Sequence, residues 1–225
     1  NNLKQLGLAF HNFHDAFKCF PALISDLRRT QQDCIDQTTL EGWSFLVQIL
    51  PYMEQGALYD QLKVKEQRPP QDFSQNGPGS KTLIGELVCP SNPNPTYYQP
   101  EGKTGALTNY KALGATHIES LCCALQCPPT GTCPTAKYAQ TVPNYHPDGA
   151  LFPGGRITLA AFGKDGTAHT LLVTETIEPQ IARWTFGVES VLVGLYIGNV
   201  SFTNNNPPHF TGYFAPQQFQ GNLTK

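Results

Sequence analysis

Five apolar residues near the start of the chain, Leu3, Leu6, Phe10, Phe13 and Phe17, recur at alternating spacings of three and four. That rhythm keeps them on one side of a 3.6-residue turn, so it predicts an amphipathic helix over residues 2–18 with the five side chains in one apolar seam. The helix must stop before Phe20-Pro21, because a proline ring crowds the backbone of the residue before it out of the helical region. In proteins most of the stability of such a helix comes from packing its apolar face. The seam therefore requires a second surface, and the rest of the chain must supply it.

The next apolar rhythm runs from Gly42 to Leu62 through Trp43, Leu46, Val47, Leu50, Met53 and Leu58. Pro51 must kink that helix or begin a new one. Residues 21–41 and 63–80 read as irregular, the latter through Pro69-Pro70 and Asn76-Gly77-Pro78-Gly79. Leu83–Cys89 reads as a short helix or strand. Thr108–Leu113 reads as a strand, and residues 116–149 as a Cys- and Pro-rich insertion. From Gly155 the character changes. Arg156-Ile157-Thr158-Leu159 alternates like a strand, Lys164-Asp165-Gly166-Thr167 reads as a turn, and His169–Glu175, Trp184–Val188 and Val191–Ile197 read as further strands. Helices first and strands later predict a single α+β domain, 1–225, with the first helix packed on an antiparallel sheet. Within it lie a helical part (1–62), a loop- and Cys-rich insertion (63–154) and a β-rich part (155–225).

Seven cysteines stand in the chain: Cys19, Cys34, Cys89, Cys122, Cys123, Cys127 and Cys133. The last four are spaced CC-x3-C-x5-C without a CxxC pair. Structural zinc sites are usually built on such a knuckle, so a disulfide-stapled loop in an oxidising compartment is the better reading. The odd count leaves one thiol unpaired or paired between chains. Charged residues are 14% of the chain and the net charge is -2, against about 25% charged residues in an average soluble domain. No Lys/Arg run exists to neutralise phosphates, which argues against nucleic acid as a partner. A weakly charged, amide-rich surface repels its own copies poorly and favours self-association.

Candidate chemistry is thin. His11 and Asp15 form an i,i+4 pair beside His14, a geometry that can ligate metal, but two ligands do not close a zinc site. Asp165-Gly166-Thr167 with Glu175 offers oxygen ligands for calcium at a spacing that does not match an EF-hand loop. A tight turn before a strand explains the Asp-Gly equally well. His146-Pro147-Asp148-Gly149 and His209 offer acid–base groups without a nucleophile elbow or a Cys–His context. No cofactor is expected. Tyr97, Tyr98, Tyr110, Tyr138, Tyr145, Phe210, Tyr213 and Phe214 are candidates for sugar or neighbour contact, weighed against ordinary packing. Asn199 and Asn222 head N-glycosylation triplets.

The segment Asn1-Asn2-Leu3-Lys4-Gln5-Leu6-Gly7-Leu8-Ala9-Phe10-His11-Asn12-Phe13-His14-Asp15 resembles the NNLKQLGLALHNYHD opening of a large planctomycete family, DUF1559, also labelled SBP_bac_10. Phe20-Pro21, Gly42-Trp43-Ser44, Leu50-Pro51-Tyr52-Met53-Glu54-Gln55, Ala57-Leu58-Tyr59-Asp60, Cys89-Pro90-Ser91, Gly155-Arg156-Ile157 and Asp165–Glu175 are similar to its later blocks, in order. Two stretches depart from it. No Asp-Gly follows His209 where the family's H-x9-DG element ends, since Phe219 and Gln220 stand there, and the Cys-rich stretch 122–133 lies outside the pattern.

The resemblance implies a pilin-like head and the continuation of a hydrophobic prepilin helix that is not in this chain. It implies membrane contact only through that helix, and an extracellular or cell-surface location. The resulting expectation is a non-enzymatic structural subunit, pilin- or pseudopilin-like, that forms a homo-oligomer or polymer as filament, tube or array. The alternative is an extracytoplasmic solute- or carbohydrate-binding module.

Overall fold

The computed structural model describes residues 1–25, 42–64, 78–93, 96–98, 105–115, 149–152, 155, 157–163, 166–177 and 182–193. The chain is a mixed α+β protein of short elements. Helix α1 spans Asn2–Phe17. Strands β1 (Ile24–Ser25) and β2 (Trp43–Ser44) pair antiparallel. Helix α2 (Phe45–Ile49) runs into a 3-10 turn at Leu50–Tyr52, and α3 spans Gly56–Leu62. Strands β3 (Tyr97–Tyr98) and β4 (Gly105–Ala106) form a second antiparallel pair. Strands β5 (Tyr110–Ala115), β6 (Val173–Glu175) and β7 (Val191–Val193) form a three-stranded sheet in the order β6-β5-β7.

Helix α1 ends because Lys18 takes the left-handed conformation, φ 59°, and its N–H returns to the His14 carbonyl at 2.6 Å. A glycine usually fills that position. Here the chain turns one residue further and enters Cys19-Phe20-Pro21, where helix cannot continue. The buried face of α1 is Leu6, Ala9, Phe10 and Phe13. Leu3 and Phe17, the outer members of the expected seam, are 45% and 59% exposed. The stripe is longer than the surface beneath it, so its two ends overhang.

That surface differs from the expected one. Helix α1 lies on α2, the 3-10 turn after it and the turn at Gly85–Leu87, rather than chiefly on a sheet. Phe10 stacks on Phe45 with centroids 5.7 Å apart and meets Phe20 edge-on at 6.2 Å. The sheet is also not purely antiparallel: β5 pairs antiparallel with β6 and parallel with β7. A parallel pair needs a crossover between its strands, and local patterning cannot announce one.

Other sequence expectations shift. Gly42–Ser44 is extended, so the second helical stretch begins at Phe45, where Ser44 caps α2 by accepting from the Val47 N–H at 3.3 Å. Pro51 sits at the start of the 3-10 turn, where its missing N–H is not needed. Of the strand expected at Arg156–Leu159, Ile157 and Thr158 are not strand and Leu159 opens a 3-10 turn, Leu159–Gly163. The segment His169–Glu175 is strand only over its last three residues, and His169 and Leu171 are exposed. Trp184–Val188 contributes an isolated bridge at Phe186 and opens a 3-10 turn at Gly187–Ser190. Among the described residues no helix is long and apolar enough to cross a membrane.

Candidate functional site

Two places gather the sequence blocks singled out above. The first surrounds Trp184, whose ring is fully buried and whose Nε1–H donates to the Thr82 carbonyl at 3.0 Å. Backbones converge here. Gly187 N–H donates to the Gly42 carbonyl at 2.9 Å, and Ser44 N–H to the Thr185 carbonyl at 3.1 Å. The Ser44 hydroxyl donates to the Trp184 carbonyl while it caps α2. A Cβ on Gly42 would stand 2.1 Å from the Ser25 carbonyl oxygen and 2.4 Å from Ile24 Cγ2. Only a residue without a side chain fits between β1 and the Gly187 turn.

Beside this junction Arg183 and Glu189 form a buried ion pair, with side chains 7% and 8% exposed. Arg183 Nε donates to both Glu189 oxygens, at 2.9 and 2.8 Å, its Nη2 donates to Oε1, and its backbone N–H donates to Oε2 at 2.9 Å. The guanidinium also lies 4.2 Å from the centroid of Phe186. The fork-on-carboxylate geometry satisfies charges that would otherwise be costly to bury. Thr185, between them in sequence, buries a hydroxyl with no hydrogen-bond partner among the described residues.

The second place surrounds Asn109 and Tyr110. Asn109 uses both ends of its amide: Oδ1 accepts from the Cys89 N–H at 2.8 Å and Nδ2 donates to the Thr176 carbonyl at 2.9 Å. Its backbone donates to the Leu87 carbonyl at 2.9 Å and accepts from the Thr176 N–H at 2.7 Å. Thr108 adds a hydroxyl bond to the Leu87 carbonyl at 3.0 Å. Next in chain, Tyr110 is buried and its phenol donates to Glu175 Oε1 at 3.2 Å. Asn2, in the first turn of α1, donates to the Val88 carbonyl at 2.9 Å. The Tyr110 pKa is pushed up to about 12, chiefly by burial; a hydrogen bond from Asn2 opposes the rise and the Glu175 charge adds to it. The phenol therefore stays protonated at neutral pH and serves as a donor.

The remaining candidates fall as follows. His11 and Asp15 are exposed, whereas His14 is half-buried, packs on Phe20 and accepts from the Leu159 N–H at 3.3 Å through Nε2. Among the described residues no group of three metal-ligating side chains forms. Gly166 takes φ +84° in its turn, and Glu175 of the calcium candidate set is the acceptor for Tyr110. Tyr97 is 37% exposed, whereas Tyr110 belongs to the core and not to a surface. Cys19 and Cys89 are half-buried free thiols. Cys34, Cys122, Cys123, Cys127, Cys133, His146, Asp148, Asp165, Asn199, His209 and Asn222 lie outside the described residues. So do Tyr138, Tyr145, Phe210, Tyr213, Phe214 and the side chain of Tyr98. Sequence reasoning missed Asn109, Arg183 and Glu189; nothing local marks an Asn, an Arg or a Glu as buried.

In both places the polar side chains are directed at other groups of the same chain, backbone or side chain. The chain matches the family model SBP_bac_10, described as a protein of unknown function (DUF1559), over residues 1–207, and it belongs to that family. No curated protein and no solved structure matches it.

Proposed function

We propose that this chain is a structural subunit: a pilin- or pseudopilin-like head, exported to the cell surface, that assembles with copies of itself into a filament, tube or array. The observation that carries the reading is how α1 is used. Its inner face is buried by the rest of the head, yet Leu3, Leu8 and Phe17 remain 45%, 62% and 59% exposed. Each of these side chains would gain by burial against another molecule. The polar side chains of the two junctions support it from the other side. Asn109, Tyr110, Ser44 and the Arg183–Glu189 pair spend their hydrogen bonds on the fold. The sequence adds low charge and the resemblance to pilin-type proteins.

Sedimentation velocity of the full chain over a hundredfold concentration range tests this. Growth into large, discrete species is the expected result. A single monomer boundary at every concentration would refute it and turn attention to ligand screening for the binding-module alternative, which the exposed Tyr97 favours weakly.

A further inference from the structure

The outer face of α1 carries a second stripe. Lys4, Leu8, His11 and Asp15 follow one another at spacings of four, three and four, which aligns them along the helix like a coiled-coil seam. All four are exposed, and among the described residues neither Lys4, His11 nor Asp15 forms an ion pair. Leu8 is the apolar member, 62% exposed on the solvent side of a helix whose inner side is already full.

From this we infer that two copies of the chain pair α1 against α1 antiparallel, about a two-fold axis between Leu8 and His11. The inference rests on the self-assembly reading and names one of its contacts. Charge selects both the partner and the direction. Lys4 and Asp15 lie eleven residues apart, about 16 Å along the axis. Reversing one helix on the other places each Lys4 opposite the partner copy's position 15, and each Leu8 opposite position 11. Both unlike charges are matched twice by symmetry, as a self-complementary contact requires. Parallel pairing in register would set Lys4 against Lys4 and Asp15 against Asp15. Antiparallel packing also sets the positive N-terminal end of each helix beside the negative C-terminal end of the other. The stripe offers four residues a side, against roughly 20–30 in a stable isolated interface. The contact is therefore weak alone and gains strength where an array repeats it.

Charge reversal in the full chain tests this by sedimentation equilibrium. Lys4→Glu and Asp15→Lys should each weaken self-association about tenfold or more, since each turns both symmetric attractions into repulsions. An equimolar mixture of the two variants should associate again, because each copy then carries the charge the other needs. Leu8→Gln should weaken association without changing the helical circular dichroism, since Leu8 is exposed. Assembly that proceeds unchanged in all three variants overturns this contact and leaves the structural-subunit reading standing. Pairs that form, respond to the charges and never grow support the contact and overturn that reading. A wild-type chain that stays monomeric overturns both.

Discussion

Around Trp184 the backbones approach until only glycine fits between them. Around Asn109 they stand further apart and are joined by a side-chain amide. The first junction locks β1, β2 and the Gly187 turn by shape, with one ion pair sealed beside it. The second joins β5, β6 and the segment before Pro90 by hydrogen bonds, and Asn2 ties α1 to its edge. The difference teaches where each can fail. A shape-locked junction is intolerant of added atoms, whereas a bond-locked junction is intolerant of removed ones.

The largest effect should come from the ion pair. Arg183→Met removes the cation and leaves the buried Glu189 carboxylate only the backbone N–H of residue 183, which should cost about 3–5 kcal/mol. Adding Glu189→Leu should recover most of that loss in the urea midpoint. A double variant as unstable as the single would mean that packing of the Arg183 stem, and not the charge, matters most. The stem does pack closely, since a Cβ on Gly105 would stand 2.6 Å from Arg183 Cδ.

Gly42→Ala should cost about 3 kcal/mol, because the new methyl meets the Ser25 carbonyl and neither backbone can yield alone. Gly7→Ala is the matched control: nothing lies within 4 Å of its added carbon. In mid-helix it should stabilise by about 0.5–1 kcal/mol. Thermal melts of the two variants should move in opposite directions.

At the second junction, Asn109→Ala strands the Cys89 N–H and the Thr176 carbonyl and should cost about 2 kcal/mol. Faster amide exchange should then concentrate at Cys89 and in β6. Tyr110→Phe should cost about 1 kcal/mol at neutral pH through the lost bond to Glu175. Its alkaline behaviour is more telling. In the unfolded chain the phenol loses its proton near pH 10, whereas in the fold it keeps it to about 12. The Tyr110 contribution to stability is therefore intact below pH 10 and falls by on the order of 2 kcal/mol as pH rises to 12. The phenylalanine variant should show a shallower decline, and equal slopes would remove Tyr110 from the account.

The smallest effect reverses sign. Thr185 buries an unpartnered hydroxyl, so Thr185→Val should be neutral or stabilising by up to about 1 kcal/mol. Destabilisation would reveal a hydrogen bond at that hydroxyl.

Helix α1 was legible because its signal is local. A 3.6-residue rhythm and a terminating Phe-Pro are both read along the chain, and they place its span within a residue of Asn2–Phe17. How far the seam is covered was not legible, since Leu3 and Phe17 overhang only because α2 and its turn are short. Trp43–Ser44 read as helix because Trp43 and Leu46 keep helical spacing. What makes the pair extended is distant, the β1 partner and the bridge to Phe186. The parallel register of β7 on β5 and the burial of Arg183 are likewise non-local. Tyr110 looked like one more aromatic in a Tyr-rich chain; its partners are distant, with Glu175 65 residues on and Asn2 in the first turn of α1. The polar node at Asn109 left no trace in pattern or composition.

Electron microscopy of the purified full chain at neutral pH tests the central claim most directly, that this head is built to join copies of itself. Ordered filaments, tubes or sheets with α1 at a contact between copies are the predicted result. Dispersed single particles at high concentration, with α1 facing open solvent, would contradict it.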